Sequence, residues 1–430
     1  MQQHESYKPS GVKWLGAVPS HWEVQALRAV TQLKSDRNRP DLPVLSVYRE
    51  YGVIRKDSRD DNHNATSLDT STYKVVQPGD LVVNKMKAWQ GSMGVSAYEG
   101  IVSPAYITCS TKSERVLPGY LHYLLRSSSL IGVYNSLSYG VRVGQWDMHY
   151  EDFKQIRIPL PPTDEQDRIV TFLDKKIAEI DGTISQKQKL IELFSEQRTA
   201  VIAKATRGRI ESGEAFRDSG ISWLGRFPAS HRLTRLGFIA KVGNGSTPNR
   251  SVLGYWNGGA IPWMNSSRVN DFEIFEADQF ITNRAVRECH LPAVKTGSLL
   301  VAITGEGKTR GMTAITRIDT TISQHLAYIT VTDPQVDPEF LLYYLTGIYQ
   351  NLRDESSAQG STKGAITCGE LAKVPVLLPS LEEQRAALAK IRCQSQQINR
   401  SVDLTQRKID SLRVFRAALI SEAVSGRFKL

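Results

Sequence analysis

The sequence predicts an α+β protein, in which two tandem mixed α/β domains are separated by two long helices that pack as an antiparallel coiled coil. Three observations lead to this fold class. The chain of 430 residues contains an ordered internal repeat, the first part of each repeat mixes strand-like and helix-like segments, and each repeat closes with an unbroken helical pattern. We therefore expect a pseudo-twofold relation between the two copies.

The internal repeat is the observation on which the other predictions depend. SGVKWLGAVPSHW from Ser10 matches SGISWLGRFPASH from Ser219, and VVQPGDLVVNKM from Val75 matches AVKTGSLLVAIT from Ala293. PGYLHYLLRS, IPLPPTDEQ and AKATRGRI also have counterparts, namely PEFLLYYLTG, VLLPSLEEQ and SEAVSGRF. Chance similarity would not keep one order over separated blocks. The repeat predicts mixed domains over 1–160 and 211–378 and helical regions over 161–210 and 379–430.

The mixed domains contain both kinds of regular element. YKVVQPGDLVVNKM and VKTGSLLVAITG are rich in Val, Ile and Leu between Gly and Pro, which is typical of strands. GYLHYLLRSSSLIGVYN and EFLLYYLTGIYQNL place Leu and Tyr at helical spacing. We expect these apolar stripes to belong to the core rather than to a ligand pocket.

Each helical region is predicted as one long helix. Thr163 with Gln166, and Ser380 with Glu383, fit capping boxes, and Gly208 and Gly426 fit the two ends. At about 1.5 Å per residue, each helix would span about 65 Å. Apolar residues at alternating spacings of three and four predict a coiled-coil seam, which Lys187, Arg198 and Arg416 interrupt. The seam residues are Leu173, Ile177, Ile180, Ile184, Ile191, Phe194 and Val201 in the first helix, and Ile391, Ile398, Val402, Ile409, Leu412 and Leu419 in the second.

Composition narrows the class of protein. The net charge of +10 suggests a polyanionic partner. The chain shows no apolar run of the roughly 18 residues that a membrane span needs and no secretory signal, so we expect a cytoplasmic protein without a membrane partner. The four cysteines are scattered, which predicts free thiols and no metal site.

One segment resembles a nucleotide-binding loop. AITGEGKT, Ala302–Thr309, fits a relaxed P-loop pattern, which would need a preceding strand and a following helix. The residues that follow, RGMTAITRIDTTIS, have the pattern of another strand. A P-loop NTPase is thus the alternative to a basic loop between two strands. Because the other catalytic templates are absent, we predict no catalytic residue.

Two loops in each copy combine basic residues with residues that suit base edges. Arg and Lys suit guanine and phosphates, whereas Asn and Gln suit adenine. The alternative interpretation of each residue is that it belongs to an ordinary solvated loop. The loops are basic in both copies but differ in side chains, as the reading of two different short sequences would require. The candidate DNA-binding residues are Asn84, Lys85, Lys87, Trp89, Gln90, Arg142, Gln145 and Trp146 in the first copy, and Thr304, Lys308, Thr309, Arg310, Ser361, Thr362 and Lys363 in the second.

These motifs resemble a known family. The repeated S-G-x-x-W-L-G-x-x-P opening, the strand with its basic loop, and LPPTDEQ and LPSLEEQ at the start of long helices are similar to the specificity (S) subunit of type I restriction–modification systems. The resemblance covers essentially the whole chain. A structural coiled-coil protein is a further hypothesis for the chain.

The resemblance implies how the work is divided between subunits. Each of two target recognition domains would read one half of a split double-stranded DNA site, while the helices set the gap and dock two methyltransferase (M) subunits. The M subunits would carry S-adenosylmethionine. Restriction (R) subunits with ATP and Mg would join the larger complex, so the resemblance implies no cofactor in this chain. It does not identify the residues that contact bases.

Overall fold

The computed structural model describes residues 3–58, 69–112, 114–140, 146–206, 215–305, 307–358 and 365–430. The chain divides into two compact units. Unit 1 comprises Met1–Gln188 and Gln406–Leu430, and unit 2 comprises Lys189–Thr405. Each unit therefore combines one mixed domain with a part of both long helices. The bounds of the four segments expected from the sequence remain a prediction.

Unit 1 opens with short strands and ends in the two long helices. Its strands are β1 (Tyr7–Pro9), β2 (Ala17–Pro19), β3 (Glu23–Ala26), β4 (Thr31–Lys34), β5 (Leu45–Tyr48), β6 (Gly52–Arg55), β7 (Lys74–Val76), β8 (Leu81–Asn84), β9 (Met93–Val95), β10 (Gly100–Val102), β11 (Tyr106–Thr111), β12 (Ser138–Tyr139), β13 (Asp147–Met148) and β14 (Arg157–Leu160). Its helices are α1 (Pro118–Leu125), α2 (Ser128–Leu137), α3 (Tyr150–Phe153) and the first part of α4 (Thr163–Thr206).

Unit 2 also opens with short strands and contains parts of both long helices. Its strands are β15 (Phe216–Asp218), β16 (Arg226–Pro228), β17 (Arg232–Arg235), β18 (Ala240–Asn244), β19 (Ile261–Met264), β20 (Glu273–Ile274), β21 (Gln279–Ile281), β22 (Leu299–Ala302), β23 (Thr313–Thr316), β24 (Thr321–Ile322), β25 (Leu326–Val331) and β26 (Pro375–Leu378). Its helices are α5 (Leu236–Ile239), α6 (Asn283–Glu288), α7 (Pro338–Gly347), α8 (Tyr349–Ala358), α9 (Cys368–Lys373) and α10 (Leu381–Val424), whose last part belongs to unit 1.

An antiparallel sheet of the same type forms the frame of each unit. Its strand order is β4-β11-β8-β9 in unit 1 and β18-β25-β22-β23 in unit 2, where β20 is added in parallel to β23. The central strands β8 and β22 are buried along their whole length, as the Val- and Leu-rich pattern predicts. The pairs β3–β14 and β17–β26 repeat as well. The predicted α+β class is confirmed in each unit.

The units differ in the elements that lie between the first and the last frame strand along the chain, that is, between β4 and β11 and between β18 and β25. In unit 1 this interval carries the antiparallel pairs β5–β6 and β7–β10. In unit 2 it carries α6 and a small sheet in which β19 pairs with β21 and β24. The offset between matched residues drifts because these inserted elements are unlike in the two copies.

The start of each long helix is fixed by a buried glutamine. Gln166 Oε1 accepts from the Leu117 N–H at 2.8 Å, and Nε2 donates to the carbonyls of Arg115 (3.1 Å) and Pro161 (2.9 Å). At the matching position, Gln384 makes three corresponding bonds with the backbone of Asp337, Gln335 and Pro379, at 2.9, 2.9 and 3.0 Å. Each glutamine is fully buried, so the amide ties the helix to the loop before α1 or α7.

This role of the glutamine corrects one predicted capping box. Ser380 and Glu383 form the box, with bonds of 2.8 and 3.3 Å. The prediction for Thr163 and Gln166 is wrong, because the Gln166 amide is engaged elsewhere. Pro162 occupies the position of Ser380, one residue before Thr163, and its ring offers no acceptor atom to the first turn.

The helices pack in antiparallel orientation within unit 1. The Phe172 and Phe428 rings lie 6.0 Å apart, and Arg416 pairs with Asp181 at 3.0 Å, so α4 and the end of the chain run in opposite directions. Seven predicted seam residues are buried, namely Leu173, Ile177, Ile180, Ile391, Ile398, Ile409 and Leu419. Six are half-buried, namely Ile184, Ile191, Phe194, Val201, Val402 and Leu412. Near the end of α4 the buried apolar residue is Ile202, which lies beside the predicted Val201.

Candidate nucleic-acid interface

Four segments of unit 1 meet at one end of its sheet. Lys34 is adjacent to Thr108 in the ladder and Asn84 to Tyr106, so the chain leaves β4 and β8 and enters β11 at the same end. The Met148 N–H donates to the Lys85 carbonyl at 3.1 Å and brings the end of a second loop there. We call residues 36–39, 85–92, 103–105 and 146–149 the loop edge of unit 1.

The structure brings together the described candidates of unit 1. Lys85 Nζ pairs with Asp147 Oδ2 at 3.0 Å, and the Trp89 and Trp146 rings meet edge to face at 5.3 Å. Lys87 is exposed and Gln90 is half-buried. Asn84 is buried and its Nδ2 donates to Tyr106 Oη at 3.3 Å, so its amide is turned into the protein. The candidates Arg142 and Gln145 lie outside the described residues.

Three cations near this edge, Lys74, Arg37 and Lys85, repel one another. Lys74 is half-buried and its Nζ donates to the Tyr106 carbonyl at 2.5 Å. Burial lowers the pKa of Lys74, and the neighbouring cations Arg37 and Lys85 lower it further. A bound polyanion would relieve this repulsion.

Unit 2 has a corresponding loop edge. Ala302 is adjacent to Leu326 and Asn244 to Ala327 in the ladder, so β18, β22 and β25 meet the loops at one end. The Ile366 N–H donates to the Ile303 carbonyl at 2.8 Å, and both residues lie 218 positions after Met148 and Lys85, which make the same bond. The loop edge of unit 2 comprises residues 245–247, 303–305, 307–312, 323–325 and 365–367.

The described candidates of unit 2 have unequal access to solvent. Lys308 is exposed, Thr304 and Thr309 are half-buried, and Arg310 is buried with 7% of its surface exposed. The Lys308 carbonyl accepts from Tyr349 Oη at 2.5 Å, which ties this turn to α8. The candidates Ser361, Thr362 and Lys363 lie outside the described residues.

The P-loop alternative is wrong. The segment after β22 leads through a turn into β23, which returns antiparallel beside β22 with Leu299 adjacent to Ile315. No helix begins in 303–305 or 307–312, so no helix N-terminus is available there to hold phosphates. The predicted loop between two strands is what the structure contains.

A family model decides the class of the protein. The description of that family is the type I restriction modification DNA specificity domain, and its model matches residues 19–193 and 232–413. The chain belongs to this family. It is a DNA sequence-specificity subunit of a type I restriction–modification system, a class of subunit that is itself non-catalytic.

Relatives of the specificity subunit match over long stretches. The type I restriction enzyme MjaX specificity subunit of Methanocaldococcus jannaschii is 21% identical over 450 residues, covering 100% of this chain and 98% of the relative. The EcoR124I/EcoR124II specificity subunit of Escherichia coli is 19% identical over 285 residues, covering 64% of this chain and 63% of the relative.

Solved structures show the same fold. A chain from a study of complex assembly and conformational transition of the type I R-M system has a TM-score of 0.69 and 19% identity, covering 95% of this chain and 98% of that one. The HsdS subunit from Thermoanaerobacter tengcongensis has a TM-score of 0.51 at 19% identity, covering 95% and 98%.

Several residues of the loop edges are missing from the sequence-based candidates. In unit 1 these are the exposed Arg37 and Arg39, which follow β4. In unit 2 they are Thr247, Gln324 and His325, which flank the predicted loop from β18 and β25. A polar residue directly after a predicted strand is only a weak indication of a binding residue. These segments lie beside the predicted loop because of the strand order of the sheet, which the local sequence does not reveal.

The described residues contain neither a membrane-spanning helix nor a cluster of metal ligands. No helix there is both long enough and apolar enough to cross a bilayer. No group of three or more His, Cys, Asp or Glu side chains in the described ranges is placed to hold a metal ion. All four cysteines have free thiols.

Proposed function

We propose that each recognition domain reads one half of a bipartite double-stranded DNA target through its loop edge. The observation that carries this proposal is a shared frame with unlike edges. The bond from Met148 to Lys85 and its counterpart from Ile366 to Ile303 position the loops in the same way in both units. The side chains nevertheless differ, with lysines and tryptophans in unit 1 and threonine, glutamine and histidine in unit 2.

The chemistry of the edges fits duplex DNA. Exposed cations such as Lys87, Arg37 and Lys308 suit phosphates, whose neutralisation releases counterions. Half-buried and exposed amides and hydroxyls suit base edges in the major groove. Two different edges on one chain fit a target whose two halves are different sequences.

The long helices would set the distance between the half-sites and dock two M subunits. Each unit presents apolar side chains to solvent on these helices, as a docking surface requires. In unit 1, Val414 and Phe415 are 70% and 53% exposed. In unit 2, Leu404, Leu193 and Leu190 are 58%, 49% and 39% exposed. Methylation and cleavage would be carried out by M and R subunits in the cytoplasm, with S-adenosylmethionine, ATP and Mg bound by those partners.

Exchange of one domain tests the proposal. Residues 1–155 are replaced by those of a homologue with a different target, and methylated positions are mapped in a host that also carries the methyltransferase subunits. One half of the methylated motif should change while the other half and the gap stay the same. A motif that is unchanged, or altered in both halves, would refute the assignment of one half-site to each domain.

A paired deletion tests the helices as the ruler. Removing 183–189 from α4 places Ile191 at the position of Ile184, and removing 402–408 from α10 places Ile409 at that of Val402, so the seam keeps its register. Each helix becomes shorter by roughly 10 Å, which corresponds to about three base pairs. The gap between half-sites should shrink by that amount. A complex that still methylates with the original gap would exclude the helices as the ruler.

A further inference from the structure

A row of polar side chains crosses the loop edge of unit 2. Thr247 lies after β18, Gln324 and His325 lie before β25, and Thr304 lies after β22. The Thr247 hydroxyl donates to Gln324 Oε1, Gln324 Nε2 lies 3.4 Å from His325 Nε2, and His325 Nδ1 lies 2.8 Å from Thr304 Oγ1. We call these four residues the polar row. Gln324 and His325 are exposed, so the row faces solvent.

The backbone beneath the polar row is fixed. The Ser246 N–H donates to the Ile322 carbonyl at 3.0 Å, and the Ser246 carbonyl accepts from Trp263 Nε1 at 3.1 Å. A Cβ on Gly245 would collide with the Ile322 carbonyl oxygen, so only glycine permits this approach. The segments that carry Thr247 and Gln324 are therefore held side by side before any ligand binds.

An oriented cation lies at one end of the row. The Arg250 guanidinium lies 3.8 Å from the centroid of the Trp256 ring, and its Nη2 donates to Gln279 Oε1 at 2.5 Å. Arg250 is exposed, and the partners that it contacts among the described residues, Trp256, Trp263 and Gln279, carry no negative charge. Stacking and one hydrogen bond restrict the side chain and leave donors of the guanidinium directed to solvent.

We propose that Gln324 reads an adenine in the half-site of unit 2 and that Arg250 binds a phosphate beside it. This proposal rests on the proposed function. The bond from Thr247 uses one lone pair of Oε1 and fixes the orientation of the amide. The second lone pair can accept from adenine N6, while an Nε2 hydrogen donates to adenine N7, which is the bidentate contact that a carboxamide makes in the major groove.

Variants of Gln324 test the base contact in the complex of the full chain with its methyltransferase subunits. Methylated positions are mapped in the host, and affinity is measured for duplexes in which each base pair of the target is replaced in turn. Gln324→Ala should reduce discrimination at one A·T position by between about fivefold and a hundredfold and leave the half-site of unit 1 unchanged. Gln324→Glu, which keeps the shape but only accepts hydrogen bonds, should shift the preference at that position towards cytosine.

Matched variants separate base reading from general effects. Gln335 is an exposed glutamine beyond the opposite end of β25, and Gln335→Ala should leave the motif unchanged. Thr247→Val should lower discrimination at the same position as Gln324→Ala, because it removes the hydroxyl that orients the amide. Arg250→Ala should weaken cognate and non-cognate binding alike and reduce the salt slope by about one, whereas the exposed Arg235, before β18, serves as its control.

The results separate a failure of the Gln324 contact from a failure of the proposed function. If both Gln324 variants keep the base preference at every position while exchange of 1–155 still changes one half-site, the polar row does not read DNA and the proposed function stands. If the exchange itself leaves the motif unchanged, the proposed function has failed. A loss of discrimination in Gln335→Ala equal to that in Gln324→Ala would also overturn the assignment.

Discussion

The buried glutamine at the start of α4 provides a sharp test of how the helices are joined to the recognition domains. In Gln166→Ala the Leu117 N–H and the carbonyls of Arg115 and Pro161 lose their partner inside the protein. A typical buried hydrogen bond contributes about 1 kcal/mol, and a group left unsatisfied costs more. Three lost bonds should therefore lower the free energy of unfolding of unit 1 by about 2–4 kcal/mol.

The assay follows urea unfolding of the full chain together with hydrogen exchange of individual amides. Gln166→Ala should lower the urea midpoint of unit 1 and speed exchange at the Leu117 amide, while Gln384→Ala should act on unit 2 and on the Asp337 amide. Gln186→Ala removes an exposed glutamine from the same helix and serves as the control. If Gln166→Ala unfolds within about 0.5 kcal/mol of the wild type, the amide does not tie the helix to the domain.

Three further predictions concern pH, helix propensity and partner docking. His122 is half-buried, with Nδ1 3.3 Å from the Val95 carbonyl and Nε2 2.6 Å from Arg126, and partial burial together with this cation lowers its pKa from 6.5 to about 4. Since the unfolded chain binds the proton first, this histidine's contribution to stability is present above pH 6.5 and lost as the pH falls towards 4. Thermal or urea unfolding should show a loss of about 2 kcal/mol between pH 7 and 5, and an equal pH slope in His122→Gln would contradict this. Gly182 is exposed in α4 and an added Cβ would meet no atom within 4 Å, so Gly182→Ala should raise the free energy of unfolding by about 0.5–1 kcal/mol; a lower melting temperature would show that the site is less open than described. Val414→Ser with Phe415→Ser should weaken binding of the M subunit by at least about tenfold in a pull-down titration at unchanged melting temperature, and Lys408→Ser on the same helix is the control. Equal binding by both variants would exclude this patch from the docking surface.

The spacing of apolar residues and the internal repeat predict much of this fold, because that spacing reflects which side chains are buried. The alternation of strands and helices, the two long helices and their seam all follow from which residues must leave water. The Val- and Leu-rich strands β8 and β22 are buried as predicted. At the start of α4 the sequence suggested a T-x-x-Q capping box, but a glutamine can serve either its own helix or a neighbouring loop. Only the tertiary contact with Leu117 decides between the two.

The loop edges were predictable only in part. Strand-to-loop transitions located Lys85, Trp89 and Lys308, and the sheet order then brought their loops together with 146–149 and 365–367. Thr247 and Gln324 are distant in sequence, and neither lies in a basic segment, so local composition gave no reason to choose them. The burial of Asn84 and Arg310 could likewise not be predicted from the sequence, because exposure depends on the packing of neighbouring strands.

The division of each unit between two distant stretches of chain has a consequence for shortened proteins. A fragment that ends after α4 would keep Leu173, Ile177 and Ile180 but lose 406–430, which packs on them in the intact chain. A second copy of the fragment could supply its own α4 in that place. Such a fragment should be a swapped homodimer, and its two recognition domains would then be identical. If each loop edge reads one half-site, such a homodimer would select a palindromic target.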